Sequence, residues 1–384
     1  MDSSTHPRSK LPDVGTTIFT VIAELTARHQ ALNLAQGAPT FECEPRLVDA
    51  AASAMRAGHN QYSQMAGLPA LRAGIVEKVR RLSGARYDAG TEVTVVGSAS
   101  QGLYAAISAL VHPGDEVIYF DPAFDSYAPI VRLQGATPIP IRLAPPAFAI
   151  DWDQVAKSLT PRTRMIIVNT PHNPTATVFR AADLERLAAL TRGTEVVVLS
   201  DEVYEHVVFD GALHFGMARS PELAARSVIV SSFGKSYHVT GWRVGYCLAP
   251  QPLMEEIRKV HQFLMFSADT PMQHAFAEML ADERTYLDLP AFYQRKRDQL
   301  AGALAKSRFE LLPSGGSFFM LARFRGFSSE SDSDFVLRLI RDHKVATIPL
   351  SAFYSDGTDH GIVRLSFARD EDTIMEGARR LCLV

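Results

Sequence analysis

The sequence has 384 residues, of which 47% are apolar and 21% charged, and a net charge of −3. That length predicts two, at most three, domains with a large core, and the composition excludes disorder, collagen and coiled coil. With 39 basic residues against 42 acidic ones, no excess positive field is available for nucleic acid or an anionic membrane, so a small-molecule substrate is expected.

Cys43, Cys247 and Cys382 are odd in number, far apart and outside any CxxC or Cys/His cluster. They predict ordinary buried thiols in a reducing compartment, with no disulfide framework and no zinc site. Met1 to Lys10 lacks the apolar stretch of a secretory signal, and no later segment is continuously apolar over a membrane's width. A cytoplasmic protein is the expectation.

After a loose polar tail to about residue 12, Ile18 to Leu25 has helical apolar spacing, and helices are predicted at Leu47 to Ala57 and Leu68 to Ser83. Short runs follow at 93–97 (VTVVG), 116–120 (EVIYF), 164–170 (RMIIVNT), 195–201 (EVVVLSD), 227–233 (SVIVSSF) and 243–249 (RVGYCLA), with a helix at Ala182 to Thr191 between two of them. The runs are near-continuously apolar rather than alternating, as strands buried on both faces of a largely parallel sheet should be. The fold class is α/β, an open sheet flanked by helices. From about residue 285 come a long charged helix (Tyr286 to Lys306), FELLP, SFFMLARF, a helix near Ser333 to His343, VATIPL, IVRLSFA and a closing helix from Asp370. That stretch reads as a small α+β unit with an antiparallel sheet. The expected organisation is an N-terminal arm contributing to the small domain (1–45), a large domain (46–284) and a small C-terminal domain (285–384).

Ligands of open α/β sheets bind at the carboxyl ends of the strands. There the chain places Lys235 after one strand, Asp201 after another, Asn169 and Asn173 after a third, and Ser98, Ala99, Ser100 and Gln101 where a strand runs into a helix N-terminus, a ready anion site. Arg243 follows the lysine. An amine, an acid, amides and a cationic cradle of phosphate size match what pyridoxal phosphate requires.

Ser231-Ser232-Phe233-Gly234-Lys235 with Thr240-Gly241-Trp242-Arg243 resembles the Schiff-base signature of the fold-type I, class I/II aminotransferases, the aspartate aminotransferase superfamily. Asn169 to Pro174, Ser200 to Tyr204 and Val363 to Phe367 are similar to that family's blocks in order and spacing. Leu34 to Pro39, Asn60 to Gly67 and Asp121 to Tyr127 are similar to segments of its bacterial methionine aminotransferase and kynurenine/glutamine transaminase branch.

The resemblance implies a large domain with a mostly parallel seven-stranded sheet, pyridoxal 5'-phosphate as cofactor, and ping-pong transfer of an amino group from an L-amino acid, methionine or an aromatic or glutamine-like one, to a 2-oxo acid. It implies that Lys235 carries the cofactor as an aldimine and moves the proton, that Asp201 pairs with the pyridine nitrogen, and that Asn173 and Tyr204 bond the phenolate oxygen, with Phe124 stacking on the ring. Phosphate would be held by Ser98, Ser100, Ser232, Arg243, the N–H groups of Ala99, Ser100 and Gln101, and Tyr62 of a second subunit in a homodimer. Many relatives carry Lys where this chain has Arg243, and either cation binds phosphate. Arg364 would clamp the substrate carboxylate with Gly37 and Asn173, beside an apolar pocket drawn from Ile18, Phe19, Tyr62, Phe124, Phe266 and Phe353. Glu202 is expected to be a solvated or structural neighbour, and Lys259, Lys296 and Lys306 to be solvated. Asp201, Glu202, Glu205 and His206 lack the order of a metal site, so no metal is expected. A C–S β-lyase of the same fold and a non-catalytic binding module are the alternative readings.

Overall fold

The computed structural model describes residues 8–384; residues 1–7 of the expected tail lie outside the described part. The strands are β1 (Leu32–Asn33), β2 (Val93–Val96), β3 (Glu116–Asp121), β4 (Thr137–Arg142), β5 (Thr163–Asn169), β6 (Val197–Asp201), β7 (Ser227–Ser232), β8 (Gly245–Leu248), β9 (Glu310–Leu311), β10 (Phe319–Arg323), β11 (Val345–Ala346), β12 (Ile348–Pro349) and β13 (Ile362–Ser366).

Seven of them form one sheet in the order β2-β8-β7-β6-β5-β3-β4. From β7 through β4 all pairings are parallel, and β8 is antiparallel to both its neighbours. Successive residues enter opposite apolar layers: Ile166, Val168, Ile229, Tyr246 and Leu248 one, Met165, Ile167, Val228, Val230 and Cys247 the other. Burial of each large aliphatic contributes roughly 1.5–3 kcal/mol, on both faces, which is why these strands read as unbroken apolar runs.

Strand β4 carries no such run. Its sequence TPIPIR pairs with β3 alone, so the edge tolerates two prolines, Pro138 and Pro140, that donate no hydrogen bond. The helix expected over 286–306 is two, Arg284–Leu287 and Leu289–Leu304, with Pro290 in the first turn of the second.

A second, antiparallel sheet has the order β12-β13-β10-β9. The VATIPL run divides: β12 joins this sheet, whereas β11 pairs in parallel with β1. Through β1 the segment leading to Gly37 is tied to the small sheet, with Ser366 N–H donating to the Leu34 carbonyl at 2.7 Å. Asp370 caps the closing helix Glu371–Leu381 by accepting from Thr373 N–H at 2.8 Å.

Of the three free cysteines only Cys247 is fully buried; Cys43 and Cys382 are half-buried. Lys296 departs from its expected solvated state, because its ammonium reaches inward to donate to the Arg369 carbonyl at 2.7 Å and lies 4.8 Å from the Phe41 ring centre. No helix among the described residues is long and apolar enough to cross a membrane.

Candidate active site

Strand β7 ends at Ser232, and a single helical turn, Phe233–Ser236, raises Lys235 above the carboxyl edge of the sheet. Its Nζ donates to the Gly37 carbonyl at 2.9 Å and lies 5.6 Å from the Tyr204 ring centre. Burial, then the nearby Arg364 cation, lower the amine to about 8, with Asp201 opposing them. A side chain on Gly37 would put Cβ 2.7 Å from Phe319 Cζ and 3.5 Å from Tyr204 Oη, so glycine keeps that space clear.

Asp201 ends β6 and is buried, which pushes its carboxyl up to about 6 against the opposing hydrogen bond from Tyr127. Tyr127 Oη donates to Asp201 Oδ2 at 2.7 Å. No local signal in the sequence marks Tyr127 for this contact, since the partner lies 74 residues away. Asn169 Nδ2 donates to the Asp201 carbonyl at 2.9 Å, and Asn169 Oδ1 accepts Asn173 N–H at 2.7 Å, which fixes the turn carrying Asn173. Burial raises the Tyr204 hydroxyl above its ordinary range.

These groups surround a cavity of about 230 Å³ lined by Ser98, Ala99, Ser100, Phe124, Asn169, Asn173, Asp201, Tyr204, Ser232, Lys235 and Arg243, with Leu103 and Val203. Ser98 holds φ at +126°, a sparsely populated backbone region for a residue with a Cβ, and Ala99 opens the helix Ala99–Leu110. Gly245 of β8 closes this end: a Cβ there would lie 3.0 Å from the Ala99 nitrogen. Ser100 and Arg243 are exposed, so this end of the cavity is open in the single chain.

Arg364 sits in the middle of β13, opposite Leu321 and Ile348, with 1% of its surface exposed. Nη1 donates to Asn173 Oδ1 at 2.5 Å and Nη2 to the Ala35 carbonyl at 3.0 Å, while Nε has no partner among the described residues. Burial lowers the guanidinium to about 9. A buried cation without a bonded acid is costly until an anion joins it. Around it stand Phe319, Phe353 and Phe19, with ring centres at 3.8, 4.7 and 5.5 Å. Phe319 was not anticipated, since in SFFMLARF nothing separates it from its neighbours.

Several candidates lie elsewhere. Gln101 does not line the cavity: its N–H is taken by Ser98 Oγ at 3.2 Å and its side chain by Gly97 and His261. Tyr62 is 81% exposed and packs edge-on against the exposed Phe266, so neither reaches the cavity of its own chain. Ile18 is half-buried against the core beside Phe19. Glu202 is structural and unsolvated, because the β6 alternation turns it to the opposite face of the sheet from Asp201, where it accepts from Ser200 Oγ and Met217 N–H and pairs with His214 at 2.8 Å.

The residues present fit pyridoxal phosphate. Lys235 offers an amine for its carbonyl, Asp201 an acid for its ring nitrogen, and Ser98, Ser100, Ser232 and Arg243 an anion cradle, all around one cavity.

Comparison with known proteins gives concordant results. The family model for class I and II aminotransferases matches residues 29–381. Methionine aminotransferase of Escherichia coli is 49% identical over 98% of this chain and 97% of its own length. The crystal structure of YbdL from Escherichia coli, reported with a methionine aminotransferase function, superposes with a TM-score of 0.97 over 99% of this chain and 100% of that one, at 48% identity. Rat kynurenine–oxoglutarate transaminase 1 is 32% identical over 97% of this chain and 96% of its own.

Proposed function

Since the chain belongs to the class I and II aminotransferases, which depend on pyridoxal phosphate, we propose that it is a cytoplasmic homodimer that transfers the amino group of L-methionine, or of another large uncharged L-amino acid, to a 2-oxo acid. The observation that carries the substrate class is the setting of Arg364. Its guanidinium has no bonded acid, and three phenylalanine rings stand within 5.5 Å of it. The substrate α-carboxylate takes the guanidinium fork, and Phe19, Phe319 and Phe353 then meet an apolar side chain. The other buried arginine nearby, Arg369, gives its hydrogens to the carbonyls of Asn33, Gln36 and Ala38, which leaves no second fork for a dicarboxylate.

Pyridoxal phosphate, when bound, supplies an electrophilic carbon and a ring that accepts the electrons released at the substrate Cα. Lys235 Nζ, held near pH 8 by burial, is neutral often enough to bind it covalently and afterwards to take the Cα proton and return it. Asp201, fixed by Tyr127, keeps a proton on the ring nitrogen. Ser98, Ser100, Ser232 and Arg243 would hold the phosphate, and Phe124, which lines the same cavity, would offer an aromatic surface to the ring.

Dimerisation is supported by the exposed apolar segment Phe263 (88% exposed), Leu264, Met265 and Phe266 beside Tyr62. Met265 packs onto Gly97, next to the open phosphate end, so a second subunit covering this patch would also close the cavity.

The test is a donor panel with a 2-oxo acid acceptor. Stoichiometric amino-for-oxo exchange, with methionine or an aromatic donor at least about tenfold above aspartate in kcat/KM, supports the reading. Aspartate as the best donor refutes the substrate class, and pyruvate with ammonia from a β-substituted donor refutes transamination in favour of a lyase.

A further inference from the structure

Behind the sheet, on the face opposite Lys235, lies a buried polar cluster that the reaction does not use. Lys78, from the helix Pro69–Ser83, donates to Glu205 Oε1 at 2.8 Å and to Tyr246 Oη at 2.6 Å. Tyr246 Oη donates to the same Glu205 oxygen at 2.7 Å, and Ser231 Oγ does so at 2.6 Å. The Lys78 and Glu205 side chains are 3% and 10% exposed. Burial pushes the Glu205 carboxyl up, but the Lys78 ammonium outweighs it and holds the group well below the usual carboxylate range.

The sequence positions of these partners matter more than their charge. Glu205 follows Tyr204, Ser231 precedes Ser232, and Tyr246 follows Gly245. In each pair one residue faces the rear cluster and its neighbour faces the cofactor cavity, as strand alternation requires on β7 and β8. Ser232 and Gly245 are also direct partners across the β7–β8 ladder, and Gly245 faces Val96 at the end of β2, just before Ser98. One carboxylate oxygen therefore ties together the three backbone segments that present Tyr204, Ser232 and the wall beside Ala99.

We propose that Glu205 is a positioning residue for the cofactor: anchored by Lys78, Tyr246 and Ser231 behind the sheet, it sets the placement of Tyr204, Ser232 and Gly245 in front of it. The inference rests on the assignment of the front cavity to pyridoxal phosphate. A stabilising pair with no positioning role would strengthen the fold equally with and without cofactor. A positioning group instead alters how tightly the folded protein holds it.

The experiment titrates cofactor-free protein with pyridoxal phosphate and follows the pH midpoint of the bound cofactor's visible absorption, with thermal unfolding of the cofactor-free form measured in parallel. Glu205→Gln is expected to weaken cofactor binding about tenfold, and Tyr246→Phe, which removes the hydroxyl between Lys78 and Glu205, and Ser231→Ala, which removes one hydrogen bond, at least about threefold. The absorption midpoint moves in the same variants. Ile229→Val, in the same rear wall but without a polar contact, is the control and leaves both readouts at the wild-type value while lowering stability. Should Glu205→Gln not fold, Tyr246→Phe and Ser231→Ala carry the same test. The proposal is overturned if the folded variants lose stability yet keep wild-type cofactor affinity and midpoint. A wild-type protein that fails to bind pyridoxal phosphate overturns the underlying cofactor assignment instead.

Discussion

Replacing Asp201 with asparagine should move cofactor-free stability and holoenzyme activity in opposite directions. Asp201 is 4% exposed, and burial raises its carboxyl from the ordinary 3.8 to about 6. Between about pH 4 and pH 6 the folded chain therefore retains a proton that the unfolded chain has released, so stability declines as pH rises through that window. Above it the ionised carboxylate costs the fold about 3 kcal/mol, at about 1.36 kcal/mol per pH unit of displacement. The amide of the Asp201→Asn variant has no charge to desolvate: its one oxygen, in place of Oδ1, accepts from Val203 N–H, and its nitrogen, in place of Oδ2, donates to Tyr127 Oη. For a chain of 384 residues, that 3 kcal/mol corresponds to a Tm increase of about 4 °C at pH 7, shrinking toward zero near pH 4. With cofactor bound the variant lacks the acid that holds the ring-nitrogen proton, and kcat should fall by about 10² to 10³. Calorimetry of both cofactor-free proteins from pH 4 to 8, beside donor kinetics, checks the pair of outcomes. A variant no more stable than wild type at pH 7, or a gain independent of pH, would refute the claim that Asp201 is held at a desolvation cost.

Three further outcomes are expected. In cofactor-free protein the Lys235 amine should titrate near 8, measured by the pH dependence of its trapping with pyridoxal and borohydride; 3-phenylpropionate should raise that midpoint by neutralising the Arg364 cation that depresses it, and an unchanged midpoint would count against their proximity. Arg364→Lys should raise KM for methionine about 30-fold, the loss of one charge-assisted hydrogen bond of about 2 kcal/mol, with the cofactor spectrum unchanged. Tyr62→Asp should convert dimer to monomer in sedimentation and loosen cofactor retention together; a dimer that persists with intact retention would contradict the proposed closure of the phosphate end.

Much of the sheet was legible because its central strands are buried on both faces and so carry continuous apolar runs, as Ile166 to Val168 and Val228 to Val230 do. Strand β4 was not, since an edge strand needs no such run and its prolines read as loop. Within the site, Asp201 ends a buried strand and Lys235 and Asn173 follow one within four residues, each inside a block that resembles the family's, so all three stood out. Tyr127 and Phe319 did not, because an aromatic residue in an apolar stretch has the same sequence signature whether it fills a core or aims at a ligand. At Gln101 the sequence could not show the local competition: a helix N-terminus offers free N–H groups, but Ser98 Oγ accepts from Gln101 N–H as the helix cap.

The two buried arginines in and just after β13 show how far residue identity alone can go. Arg364 and Arg369 are both 1% exposed. Every hydrogen bond of the Arg369 guanidinium runs to residues 33–38 and to Ala368, and these bonds fold the segment around it. That segment includes Gly37, whose carbonyl accepts from Lys235 Nζ. Arg369 thus acts on the reactive amine through the backbone it grips, and has nothing left for a ligand. Arg364 has only Asn173 and the Ala35 carbonyl, an unpartnered Nε and no bonded acid, so its charge is the one still to be matched by an anion. What separates a structural arginine from a ligand-binding one here is the accounting of their donors, and that accounting exists only once β1, β13 and the turn at Asn173 have been brought together.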